Sequence, residues 1–206
     1  MALLLLDHIA VAADTLEEGR AHVEDALGVT LQDGGQHPRF GTHNLLLGLD
    51  DGIYLEVIAK DPSGPPPSGP RWFDLDRFSG EPRLTNWICR VSDLDAALAQ
   101  LPEAGRPVDL QRGDLRWRMA VPEDGILPFD NRFPALISWT GPDHPANRLK
   151  ASGCRLRRLV VSHPDAEVLS DRLLPAMDAP TVAFEPGETA GLRAEIETPA
   201  GLRELR

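Results

Sequence analysis

The sequence predicts an α+β protein assembled from repeated strand–helix–strand units. Three observations predict it. An alternating apolar segment at Leu3–Val11 leads into a capped helical pattern and then into further strand-like runs. The same strand-then-helix opening recurs at Thr85 and at Leu156. Glycine and proline, 18 and 19 of 206 residues, crowd into Pro62–Pro70, a run that neither a helix nor a central strand tolerates.

Along Leu3–Val11, Leu4, Leu6, His8 and Ala10 fall on one face and Leu5, Ile9 and Val11 on the other. Asp14 and Glu17 have the spacing of a capping box, and Leu16, Val23, Ala26 and Leu27 recur at helical intervals until Gly28 stops the helix. Strands are expected around Val29–Gln32, Thr42–Leu49 and Ile53–Ala59, the last two turned by Asp50-Asp51-Gly52. The order is β-α-β-β-β. Pro62–Pro70 then reads as a stiff, extended linker, and Arg71–Leu75, with two aromatics, as a short turn packing back on the body.

From Thr85 the pattern resumes. A strand at Thr85–Val91 meets a cap at Ser92-Asp93, an Ala-rich helix at Leu94–Leu101, and strands at Arg116–Val121 and Pro134–Trp139. A third opening places a strand at Leu156–Val161, a helix at Ala166–Leu174 behind Pro164, and strands at Thr181–Phe184 and Leu192–Thr198. The expected organisation is a unit at 1–61, a linker at 62–84, and a second unit at 85–206 with an extra C-terminal βαββ segment.

Composition removes several function classes. Twenty-one Lys and Arg against 32 Asp and Glu leave a net charge of −11, a field that repels nucleic acid and anionic membranes. The apolar opening Ala2–Leu6 follows no basic segment and meets Asp7 at once, so neither a signal peptide nor a membrane span is expected. Cys89 and Cys154 have no metal or redox spacing, which makes a reducing cytoplasm the expected setting. Missing too are a Gly-x-Gly-x-x-Gly turn, a phosphate-binding glycine loop and a Gly-x-Ser-x-Gly elbow, which argues against nucleotide chemistry and serine hydrolysis.

The residues left for chemistry fall into three groups. His8 and Glu56 are ionisable groups in mid-strand among apolar neighbours, where a buried carboxylate needs a partner, a proton or a metal. If their strands are neighbours, the pair serves a metal site, an acid–base pair or simply a buried hydrogen bond. The loop from Gly34 to Asn44 gathers His37, Thr42, His43 and Asn44 between glycines, either to orient a ligand or to satisfy its own turn. Trp139 ends a strand and His144 follows in a Pro-bounded loop, giving an aromatic wall beside a polar group or a core Trp with an exposed His.

Leu6-Asp7-His8-Ile9-Ala10-Val11, the helix, the Gly35–Asn44 loop and Tyr54-Leu55-Glu56-Val57-Ile58 together resemble the glyoxalase-like domain family. This is a branch of the vicinal oxygen chelate (glyoxalase, bleomycin resistance, dioxygenase) superfamily. The resemblance covers about residues 3–61 well and Trp139–Ala146 plausibly. It implies paired βαβββ modules whose curved, mixed sheets enclose a cavity. In metal-dependent relatives, the first and last strands of each module supply one ligand each to a divalent ion (Zn, Ni, Mn, Co or Fe). His8 and Glu56 match the first module's two positions. The second module departs: its first strand offers Trp87 or Ile88, the third opening offers Arg158 or Leu159, and only Glu195 or Glu197 could stand in for the carboxylate.

The expected function is a metal-assisted lyase or isomerase acting on a small oxygenated substrate, with a dioxygenase less favoured. His8 and Glu56 would be ligands and catalytic groups together with His37, while His43, Asn44, Trp139 and His144 would contact substrate. The rival is a metal-free small-molecule-binding protein, with Trp139 and Trp87 walling an apolar pocket. No nucleic acid or membrane partner is expected; a homodimer is, if the cavity forms between subunits.

Overall fold

The computed structural model describes residues 3–206, and its first module follows the pattern of the sequence. It comprises β1 (Leu5–Ala12), α1 (Leu16–Leu27), β2 (Gln32–His37), β3 (Thr42–Gly48) and β4 (Tyr54–Lys60). The second module repeats the order with β5 (Arg83–Arg90), α2 (Leu94–Gln100), β6 (Arg106–Arg112), β7 (Leu115–Val121), the single turn α3 (Pro128–Asn131) and β8 (Ala135–Trp139). A third unit follows: β9 (Arg155–His163), α4 (Ala166–Leu173), β10 (Val182–Pro186), β11 (Gly191–Thr198) and β12 (Gly201–Leu205).

The two modules share one eight-stranded mixed sheet in the order β2-β3-β4-β1-β5-β8-β7-β6. β1 runs parallel to β4 and antiparallel to β5, so the modules meet edge to edge at a pseudo-two-fold axis. The sheet is curled. β3 and β6 are six strands apart, roughly 29 Å in a flat sheet, yet Arg112 Nη1 of β6 donates to Asn44 Oδ1 of β3 at 3.1 Å. The third unit forms its own sheet in the order β10-β9-β11-β12 and is no copy of the modules, because β9 pairs in parallel with β10, the strand straight after its helix. Among the described residues no helix is long and apolar enough to cross a membrane.

Three local expectations are corrected. The capping box sits one residue later: Thr15 caps α1 and Glu18 answers from N3, while Asp14 accepts from the Gly80 N–H. β2 begins at Gln32, so Gly34 to His37 is strand with a bulge, not a free loop. β6 and β12 lie at sheet edges with mostly exposed residues, which leaves only a short apolar alternation to read, Val108 and Leu110 in β6. The segment after the proline run packs back on the body as expected, with Trp72, Phe73, Leu75 and Phe78 buried.

α1 lies close on β4. A Cβ on Gly19 would stand 2.4 Å from Val57 Cγ1 and 2.9 Å from Ala13 Cβ, and both neighbours are held in the core. Gly19→Val is therefore expected to destabilise by roughly 1–3 kcal/mol through overpacking. Denaturant unfolding should show a lower midpoint at unchanged slope.

Candidate active site

Register brings His8 and Glu56 together. On β1 and β4, His8 faces Tyr54 and Ala10 faces Glu56, so all four side chains share the concave face with Asn44 and Leu46 of β3. His8 Nε2 stands 3.6 Å from Glu56 Oε2, an ion pair rather than a hydrogen bond. Glu56 Oε1 accepts from Asn44 Nδ2 at 2.5 Å, and Asn44 Oδ1 accepts from the Gly35 N–H at 2.8 Å. Glycine is required beside it, because a Cβ on Gly34 would fall 2.0 Å from Asn44 Oδ1. The Gly34–Asn44 segment thus both satisfies its own turn and orients the carboxylate.

A register shift between Leu6 and His8 re-aims Asp7. Simple alternation would turn Asp7 away from its neighbour; instead Asp7 Oδ1 lies 2.6 Å from His8 Nδ1. Its other oxygen accepts from Trp139 Nε1 at 3.1 Å and lies 2.9 Å from His144 Nε2. Tyr54 stacks on the His8 ring at 4.3 Å. His8 is clamped between two buried carboxylates.

The charges follow from this geometry. Burial opposes a charge on His8, but the Asp7 and Glu56 carboxylates override it and raise its pKa to about 9. Burial likewise opposes the charge on Asp7, which hydrogen bonds from His144 and His8 pull well below the usual range. Glu56 is lowered against burial by His8, His37 and Asn44. His37 goes the other way: burial, assisted by Arg112, lowers it to about 4 despite the Glu56 charge. At neutral pH the site holds one imidazolium, two carboxylates and a neutral imidazole.

These groups enclose a cavity of about 30 Å³ walled by Trp72, Phe73, Trp117 and Trp139. His8, Glu56, His37, Asn44 and Trp139 line it, with His37 Nδ1 3.1 Å from Thr42 Oγ1. His144 is not among its lining residues; it bonds Asp7 and packs edge-on against Tyr54 and Trp139. His43 is not among its lining residues, because alternation along β3 turns it away from the face that Thr42 and Asn44 share. Trp87 is not a wall either; it is fully buried with its ring toward Phe184 of the third unit. Sequence reasoning missed Asp7, Tyr54, Arg112 and Trp72. Tyr54 and Asp7 had a signal, each being a polar group in an apolar strand; Arg112 and Trp72 had none.

The donor set for a divalent ion is half complete. β1 and β5 pair reciprocally, His8 with Ile88 and Ala10 with Asn86, so the pseudo-two-fold axis carries His8 onto Asn86. The same operation carries Glu56 onto Ala135, since Ala10 faces Glu56 and Ile88 faces Ala135. The equivalent of His8 is therefore neither Trp87 nor Ile88. Asn86 is fully buried and its amide has no partner among the described residues. A neutral amide is a weak ligand and an alanine is none. Glu195 and Glu197 cannot replace them, for they lie on β11 and pair with Arg193 and Arg157. Among the described residues no group of three or more His, Cys, Asp or Glu has the geometry to hold an ion. These residues do not fit a four-ligand metal centre.

Comparison with known proteins agrees with the fold. A hypothetical protein from Staphylococcus aureus superposes with a TM-score of 0.65 at 15% identity, over 92% of this chain and 88% of its own. A methylmalonyl-CoA epimerase from Mycobacterium tuberculosis aligns over 66% of this chain and 88% of its own, at 24% identity and a TM-score of 0.42. No curated protein matches the chain. A family model described as a glyoxalase-like domain matches residues 6–177, which takes in both modules, the cavity and the start of the third unit. The chain belongs to the glyoxalase-like domain family.

Proposed function

We propose that the chain is an acid–base isomerase or lyase that moves a proton at the carbon beside a carbonyl of a small oxygenated substrate, without a divalent ion. The observation that carries this is the buried Asp7–His8–Glu56 series, with a charged imidazole between two carboxylates at the wall of an aromatic cavity. In this reading His8 Nε2–H donates to the substrate oxygen, taking the role of electrophile. Glu56 takes the proton from carbon, and the electron pair moves onto that oxygen as an enediolate. As the substrate oxygen draws the His8 N–H toward itself, less of the imidazolium charge acts on Glu56, so the carboxylate becomes more basic as it is needed. Asp7 keeps His8 charged and oriented. Protonated Glu56 then returns that proton to the neighbouring carbon, while the neutral His37 can accept the enediol hydroxyl proton and pass it between the two oxygens.

The cavity of about 30 Å³ has to open for a drug or for the smallest oxygenated substrate alike, so the reading rests on the acid–base series and not on size.

The test is solvent exchange. Wild-type protein in heavy water, with a chelator present, is expected to wash out the carbon-bound proton of at least one member of a panel of small α-hydroxy aldehydes and ketones, followed by proton NMR. Exchange that vanishes with chelator and returns with a divalent ion would replace this reading by the metal-assisted one. No exchange across the panel would favour a binding role.

A further inference from the structure

We propose that a second pocket, separated from the acid–base cavity by Phe73, binds an oxyanion (a carboxylate or phosphate group) on the guanidinium of Arg132. Phe73 lines both spaces, and the second has a volume of about 180 Å³.

Arg132 is an incompletely satisfied cation. Its Nη1 donates to the Thr85 carbonyl at 2.6 Å, and its Nε is buried with no partner among the described residues. No carboxylate among those residues forms an ion pair with it, and burial pulls its pKa down to about 10. Beside it Thr85 is 9% exposed, and its hydroxyl likewise has no partner. Asp130 acts on it only at a distance, and a desolvated guanidinium without a direct ion-pair partner is costly; its Nε–Nη2 edge matches the two oxygens of a carboxylate or phosphate.

The other charges around the pocket are engaged. Arg77 takes both oxygens of Asp74 at 2.7 Å each. Arg83 donates to the carbonyls of Ser79 and Glu81 and lies 4.3 Å over the Phe78 ring. Asp130 faces His163 at 3.4 Å. What remains for a ligand is the guanidinium edge and the Thr85 hydroxyl.

The backbone around this pocket is strained. Six non-glycine residues of the described chain have left-handed φ, and Phe73 (58°), Asp74 (57°), Asp130 (51°) and Asn131 (64°) line this one space. Phe129 (54°) adjoins them. Such backbone strain collects at ligand clamps. Here it is held in place: the Asp74 N–H donates to Gly125 O at 2.9 Å, and Trp87 Nε1 donates to Arg132 O at 2.8 Å. Two left-handed segments, far apart in sequence, are tied around an arginine that has no ion-pair partner among the described residues.

The test titrates inorganic phosphate and, separately, acetate into the full chain, with chloride holding ionic strength constant. The readouts are the Arg132 Nε–H resonance and the thermal midpoint. A saturable shift and a rising midpoint with either anion are expected, the responding anion naming the class. Arg132→Gln should abolish the saturable component, and Thr85→Val should weaken the apparent affinity about fivefold, the worth of one hydrogen bond. Arg106→Gln, at an exposed pair with Glu123, should respond as wild type does. No saturable response to either anion, or wild-type responses in both Arg132→Gln and Thr85→Val, would overturn the proposal. Turnover is not measured, so failure here leaves the acid–base reading standing.

Discussion

Glu56→Gln is expected to lower solvent-proton exchange into substrate by roughly 10²–10⁴, the contribution of a positioned general base. Glutamine keeps the shape of the side chain and can still accept from Asn44 Nδ2, so the concave face should stay packed. It cannot take a proton. It also removes one of the two charges that hold His8 protonated, which weakens the electrophile at the same time. Circular dichroism should show an unchanged fold, placing the loss in chemistry. A loss below about tenfold would shift the base to His37, the other proton acceptor lining the cavity.

Asp7→Asn should have the largest effect on stability, a loss of about 3–5 kcal/mol, because breaking a buried charged pair strands the remaining charge. Asp7 is fully buried and engages His8, Trp139 and His144 at once. The wild-type pH profile follows from the same groups. The raised pKa of His8 contributes stability that is fully present below 6.5 and lost as pH rises through about 9. His37 has the opposite sign. Its pKa of about 4 lies below the ordinary histidine value of 6.5, so the unfolded chain binds the extra proton and stability falls as pH drops through that window. The depressed carboxylates, Asp7 and Glu56, lose their share at still lower pH. Urea midpoints should therefore peak near the common limit of 6.5, and Asp7→Asn should flatten the alkaline limb.

Local pattern made much of the first module legible. His8 and Glu56 stood out because strands of buried apolar residues rarely carry ionisable groups, and alternation put both on one face. Asp7 was read past for the same reason: alternation sends it to the opposite face, and a bulge leaves no mark in one sequence. Arg112 comes from a polar edge strand and meets Asn44 only because the sheet curls, a property of strand order. The equivalence of His8 with Asn86 needs the register of β1 against β5, and local pattern offered Trp87 and Ile88 in its place. The third unit shares the strand–helix opening of the modules, but its pairing order differs, and local periodicity does not encode which strands become neighbours.

The proposed chemistry turns on a charged His8 held between Asp7 and Glu56 at neutral pH. Nitrogen-15 NMR titration of the histidine imidazoles reads that state directly. The prediction is that His8 carries both N–H protons at pH 7 and titrates near 9, while His37 stays neutral down to about 4. A His8 that is neutral at pH 7, titrating at or below the ordinary histidine value of 6.5, would contradict it.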